Sequence, residues 1–253
     1  MTIITDPVFY FIALPAVLAL GLSKGGFAGI GILATPLLAL HLPPLEAAAL
    51  LLPILISQDV ISVWVYRRDW SAWNLKVLIP GALIGMGVAW FFAAQVSDTV
   101  IRLAVGSIGV AFVLHNFLKR GPVEPQKKTA ASGVFWGSIS GFTSFLVQGG
   151  APPFQVHVLP QMLPKMTLVG TSAIFFAIVN FLKIVPYFAL GQFSAKNLAT
   201  SLVLLPLAFA TNFLGIWLVR VTPQELFYRI AYVLVLCVSL LLLWQGFKSL
   251  LYG

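Results

Sequence analysis

The sequence predicts an all-α polytopic membrane protein made of two pseudo-symmetric repeats. Each repeat holds one Gly/Pro-broken or re-entrant membrane segment and about three spanning helices. Three observations predict it. The 253 residues are 60% hydrophobic and only 9% charged, with a mean hydropathy of +0.99, whereas soluble domains carry about 25% charged residues. Apolar runs of roughly 20 residues, enough to cross a bilayer, follow one another along the chain. A glycine-rich interruption of such a run occurs twice, about 120 residues apart (Gly25 against Gly149). The runs are continuous rather than alternating, which excludes a transmembrane barrel.

The first run, Pro7 to Leu40, is too long for one straight helix, since it would reach roughly 50 Å against a hydrocarbon core of ~30 Å. Five glycines fall between Gly21 and Gly31, and glycine weakens a helix interior. The run is therefore a broken span or a re-entrant hairpin that turns there. His41–Glu46, with Pro43 and Pro44, reads as a turn. Spans follow at Ala47–Val65, Lys76–Ala94 and Val100–Leu118, separated by the Arg67–Lys76 and Gln95–Thr99 loops. Trp64, Tyr66, Trp70 and Trp73 read as an interfacial aromatic belt. Gly81 and Gly85 form a small-xxx-small pair suited to close helix packing.

Residues 1–118 form the first repeat, 119–129 a basic cytoplasmic linker, and 130–253 the second repeat. The second repeat opens on Gly141–Pro153, which carries the second break. It continues through Pro160–Pro164, Met166–Leu190, Ala199–Val219 and Phe227–Phe247. Phe193-Ser194-Ala195-Lys196-Asn197 echoes Trp70-Ser71-Ala72-Trp73-Asn74. Four spans per half would make the repeats parallel, and a hairpin with three spans would make them inverted. The loop charges do not choose between these.

The formal net charge of +8 sits mostly in short loops, where it orients the chain with the Arg67–Lys76 loop and the linker inside. No basic and aromatic cluster resembles a nucleic-acid surface. Cys237 is the sole cysteine, which rules out an internal disulfide and a cysteine metal site, and it reads as a packing residue. No basic residue precedes the first apolar run, so the start does not read as a cleaved signal peptide. The expected location is the cytoplasmic (inner) membrane, multi-pass. A homodimer is compatible with this reading.

The motif Gly21-Leu22-Ser23-Lys24-Gly25-Gly26-Phe27-Ala28-Gly29-Ile30-Gly31 with Pro36, the second motif Gly141–Pro153 and the two-half layout resemble the TauE/SafE family of membrane transporters, the sulfite exporters. The resemblance covers nearly the whole chain. It implies secondary transport of a small anion such as sulfite, sulfoacetate or a related organosulfonate. The second motif departs from the first, reading Gln148-Gly149-Gly150-Ala151-Pro152-Pro153, so the two breaks need not contribute equally.

An anion site in a membrane needs donors and positive potential. Helix N-termini at a break provide both, and glycine lets the backbone approach an oxyanion. Gly25-Gly26 and Gly149-Gly150 are expected to open helical pieces in this way, with Lys24 adding a full charge and Gln148 flanking the second pair. Close helix packing is the bland reading for these glycines. Intramembrane polar groups at Gln58, Asn180, Lys183 and Asn212 complete the expected substrate set, although the neutral ones more often bond helix to helix. Asp59 is the one acid well inside a span. It can pair with Lys24 or Lys183, or carry a coupling proton, and it is expected beside the path rather than in the cradle. His157 reads as a packing histidine.

The expected function is alternating-access transport around the two breaks, with proton coupling through Asp59 as an option. An uncoupled anion channel and an accessory membrane subunit are the alternatives. No acid pair, Ser/His dyad or metal motif suggests an intramembrane enzyme, and no cofactor or metal is expected.

Overall fold

The computed structural model describes residues 3–27, 30–38, 41–42, 44–92, 97–118, 125–189, 191 and 193–252. Ala28 and Gly29 of the first break, Pro43, the start of the Gln95–Thr99 loop and residues 119–124 of the expected linker lie outside them. Ten α-helices are described: α1 (Pro7–Gly25), α2 (Ala34–Leu38), α3 (Pro44–Tyr66), α4 (Ala72–Phe92), α5 (Asp98–Leu118), α6 (Ala130–Val147), α7 (Ala151–Val158), α8 (Lys165–Ala189), α9 (Ala195–Val221) and α10 (Gln224–Tyr252). Short 3-10 turns precede α2 and follow α7, and no strand occurs among the described residues. Six of these helices (α1, α3, α4, α8, α9 and α10) are long and apolar enough to cross a membrane. The chain is an all-α, multi-pass membrane protein.

Local signals set the helix ends. Asp6 caps α1 by accepting from the Val8 N–H at 2.9 Å, with Pro7 in the first turn. Thr129 and Ser194 cap α6 and α9 in the same way. The expected breaks fall at Gly26 and at Gln148–Gly150. After the first, the 3-10 turn and α2 pack back against α1, with Ala34 and Leu38 in one buried cluster with Ala16, Val17 and Leu20. α7 likewise packs against α6.

The helices form two compact units, residues 1–70 with 169–223 and residues 71–168 with 224–253. Each unit therefore draws segments from both halves of the chain. In the first, α1 and α3 pack on α9. In the second, α4 packs on α6 and α5 on α10.

Lipid tails are as apolar as leucine, so helices in a bilayer associate through close packing and hydrogen bonds rather than through escape from water. Small residues make that closeness available here. In the first unit, a Cβ on Gly25 would fall 2.5 Å from the Gly215 carbonyl carbon, so α1 and α9 cross almost backbone to backbone. In the second, a Cβ on Gly85 would meet the Ser138 carbonyl carbon at 2.7 Å and the Phe142 nitrogen at 2.9 Å. Gly137 and Gly141 of α6 approach the α4 backbone from the other side. Gly106 and Gly109 of α5 do the same work against Ser239 of α10.

Buried polar side chains tie the second unit just after the second break. His157 shares hydrogen bonds with Ser132 (3.2 Å) and Asn74 (3.1 Å), and Gln161 donates to Asn74 at 2.8 Å. Trp73 stacks on the imidazole at 5.9 Å. His157 is thus a packed, bonded histidine. Cys237, expected in the packing, instead lies on the exposed side of α10, because that helix turns its opposite stripe (Val235, Val238, Leu242) inward.

Two glycines of α4 give a direct contrast. Gly85→Val is expected to lower stability by about 1–3 kcal/mol through overpacking against α6. Gly87 has open space around its would-be Cβ, so Gly87→Ala is expected to gain about 0.5–1 kcal/mol from helix propensity. Thermal unfolding of the purified protein in detergent separates them, and equal melting temperatures for both variants would contradict the close crossing.

Candidate functional site

The site is built where α1 stops. Gly26 adopts φ 142°, ψ −9°, a conformation that L side chains rarely reach. Its N–H bonds back to the Leu22 and Ser23 carbonyls, and the Phe27 N–H bonds to Leu22 at 3.1 Å, which closes the helix. Two further carbonyls of the last turn would be stranded at membrane depth. α3 satisfies both: Ser62 Oγ donates to the Lys24 carbonyl at 2.9 Å, and the Tyr66 hydroxyl donates to the Gly25 carbonyl at 2.7 Å.

This corrects the expectation for Gly25-Gly26. The pair closes a helix instead of opening one, so it presents the carbonyl, negative end of the dipole and not a row of free N–H groups. Gly25 is consumed by the crossing with Gly215, and Gly26 by the turn. The same end favours a cation, and Lys24 stands in that last turn. Tyr66 is corrected as well. It was expected in the aromatic belt but is 0% exposed, while Trp64, Trp70 and Trp73 do face outward. Its position seven residues after Asp59 and four after Ser62, on one helix face, is the signal that could have placed it.

Lys24 reaches from α1 to Asp59 on α3. Its Nζ lies 2.5 Å from Oδ1, with side-chain exposures of 10% and 5%. The Asn180 amide of α8 donates to the other oxygen, Oδ2, at 2.7 Å. The Lys24 ammonium also lies 5.9 Å from the centre of the Phe176 ring, within cation–π range. One turn beyond Asn180 on the same face comes Lys183, which is 0% exposed and interacts electrostatically with both Asp59 and Lys24. Of the expected site residues, the first unit therefore gathers Lys24, Asp59, Asn180 and Lys183 into one buried cluster of two amines and one carboxylate.

Gln58 and Asn212 bond α3 to α9 beside this cluster. Gln58 Nε2 donates to the Ala208 carbonyl at 2.9 Å, and Asn212 Nδ2 donates to the Gln58 carbonyl at 3.1 Å. Their amide donors are thus engaged by backbone, and they position α3. Asn212 Oδ1 also accepts from Ser62 at 3.3 Å, which links this brace to the end of α1.

Gln148, Gly149 and Gly150 belong to the second unit. Gln148 ends α6 with φ 55°, its N–H bonded to the Thr143 carbonyl. Gly149 donates to that carbonyl too, at 3.0 Å. Ser140 and Thr143 hydroxyls donate to the Gly150 and Gly149 carbonyls at 2.7 and 3.2 Å. Gly150 does cap the start of α7, as expected, but Pro152 and Pro153 remove two donors from its first turn.

Breaking the ion pair from one side leaves two buried amines without a carboxylate. Asp59→Asn is expected to lower stability by about 3–5 kcal/mol. The double variant Lys24→Met/Asp59→Leu removes both charges and is expected to recover most of that loss. Thermal unfolding of the purified variants checks this, and an Asp59→Asn protein that melts like wild type would refute the pair.

No curated protein and no solved structure matches the chain. A family model described as "Sulfite exporter TauE/SafE" matches residues 13–242, a span that holds every residue of the cluster. A buried, charge-bearing helix break within a multi-pass membrane bundle is what that match covers, and the chain belongs to the TauE/SafE sulfite exporter family.

Proposed function

We propose that the protein is a secondary transporter that carries a small anion, sulfite or an organosulfonate such as sulfoacetate, across the cytoplasmic membrane by alternating access. One observation carries this reading: two amines, Lys24 and Lys183, are gathered around the single carboxylate of Asp59 in the interior of the first unit. An arriving oxyanion favours the protonated form of both amines, and the cluster then holds one surplus positive charge for it to balance. Isolated charge is costly at membrane depth, and a passing oxyanion would relieve it. Lys183 is the residue we assign to the anion, since it lies fully buried one turn beyond Asn180, on the face of α8 that meets the Lys24–Asp59 pair.

Asp59 supplies the coupling. A proton arriving on its carboxylate would loosen the pair with Lys24 and free that ammonium for the anion, so that proton and anion travel together. The recurrence of a broken segment followed by three long helices, α1–α5 and then α6–α10, supports two repeats of one plan joined by the basic linker. The hydroxyl pairs that hold each break, Ser62 with Tyr66 and Ser140 with Thr143, support it further.

Reconstituted proteoliposomes test this. Labelled sulfite or sulfoacetate is expected to enter saturably, and faster under an inward proton gradient. Lys183→Met keeps the volume and leaves the Lys24–Asp59 pair in place, and an unchanged melting temperature checks that the variant folds. It is expected to cut anion flux at least about tenfold, the weight of one charge-assisted hydrogen bond. Non-saturating flux that ignores the gradient, or full flux through Lys183→Met, would overturn the reading.

A further inference from the structure

Within the first unit a groove of about 800 Å³ runs between α3 and α8. Arg67 stands at one end and Ile56 at the other, with Val60, Trp64, Ala177 and Phe181 along its length. Eleven residues of helix separate the ends, roughly 16 Å, which is about half of a ~30 Å hydrocarbon core. The walls are aliphatic and aromatic, and Arg67 and Asp59 are the charged residues that line it. The carboxylate oxygens of Asp59 are already bonded to Lys24 and Asn180.

The mouth is preset for a negative group. The Arg67 guanidinium lies over the Trp64 indole, 4.2 Å from the ring centre, and donates to the Trp64 carbonyl. Trp70 Nε1 donates to the Arg67 carbonyl at 3.0 Å. Arg68 adds a second exposed cation, and Asp69 stays outside the lining. Exposed tryptophans mark the headgroup level, so the groove begins at the interface and descends toward the bilayer centre. Val60, Trp64 and Phe181 are each about two-thirds exposed, which leaves the groove open along its side.

We propose that this groove binds an acidic glycerophospholipid. Its phosphate rests on Arg67, and one acyl chain lies along α3 and α8 down to the level of Asp59. Basic pockets between membrane helices suit acidic headgroups, and the groove's depth matches a chain of one leaflet. A second copy of this chain fits poorly, because it would bring a net charge of +8 toward an arginine rim. The lipid's chain end would also keep water from the Lys24–Asp59 pair at the groove floor.

Native mass spectrometry of the full-length protein tests this with phosphatidylglycerol and phosphatidylcholine of identical acyl chains. Wild type is expected to retain phosphatidylglycerol about fivefold more, the weight of one arginine on an acidic lipid. R67Q is expected to abolish that preference, R68Q to leave most of it, and A177F to reduce retention of both lipids by filling the groove. R67Q changes an exposed side chain and A177F a partly buried wall of the groove, and an unchanged melting temperature for each shows that the fold is kept. Equal retention of the two lipids by wild type, equal loss in R67Q and R68Q, or unchanged retention in A177F would each overturn the proposal. The readout needs no transport, so its failure leaves the anion reading standing, and absent flux leaves the lipid site standing.

Discussion

The contact between Lys24 and Asp59 constrains the rest of the first unit. Neither charge can lie in hydrocarbon alone, so the end of α1 and the middle of α3 must meet. Once they meet, the carbonyls released where α1 stops fall within reach of Ser62 and Tyr66, and Asn180 brings α8 to the second carboxylate oxygen. A helix break, usually a liability in lipid, becomes tolerable because one helix face supplies a carboxylate and two hydroxyls to it. The ion pair, the break and the arrangement of three helices are a single physical solution.

That solution needs a frame that holds the elements in register, and bilayers give no solvent-driven force to press helices together. Glycines at the crossings supply the frame. Gly21, Gly25 and Gly215 let α1 and α9 touch along their backbones, and Gly81 and Gly85 with Gly137 and Gly141 do the same for α4 and α6. The Gln58–Asn212 brace then fixes α3 against α9. The same glycine-rich stretch that breaks the helix therefore also packs it, which is why the motif holds glycines both before and after Lys24.

Hydrophobic run length made the helices legible. The ends expected for α3, α4, α8 and α9 lie within a few residues of those observed, and both breaks fall where glycine and proline cluster. Polarity inside apolar runs made the buried cluster legible, since a lysine and an aspartate at that depth are costly unless they meet a partner. The direction of the break was not legible. Gly25-Gly26 can cap the end of one helix or start the next, and only the backbone angle at Gly26 and the hydroxyls of α3 decide. Tyr66 misled for a related reason: a tyrosine at a helix end near tryptophans suits an interfacial belt equally well. The grouping of helices into units was hidden too, because it depends on crossings between segments far apart in the chain.

The surplus of amines over carboxylates in the Lys24–Asp59–Lys183 cluster is the core of the functional account, and ligand-dependent melting addresses it without any membrane gradient. A ligand that binds only the folded state raises the melting temperature. Sulfite or sulfoacetate added to the purified protein is expected to raise it by several degrees in wild type and to leave Lys183→Met unmoved. An equal rise in both proteins, or no rise with either anion, would contradict the claim that the cluster is an anion site.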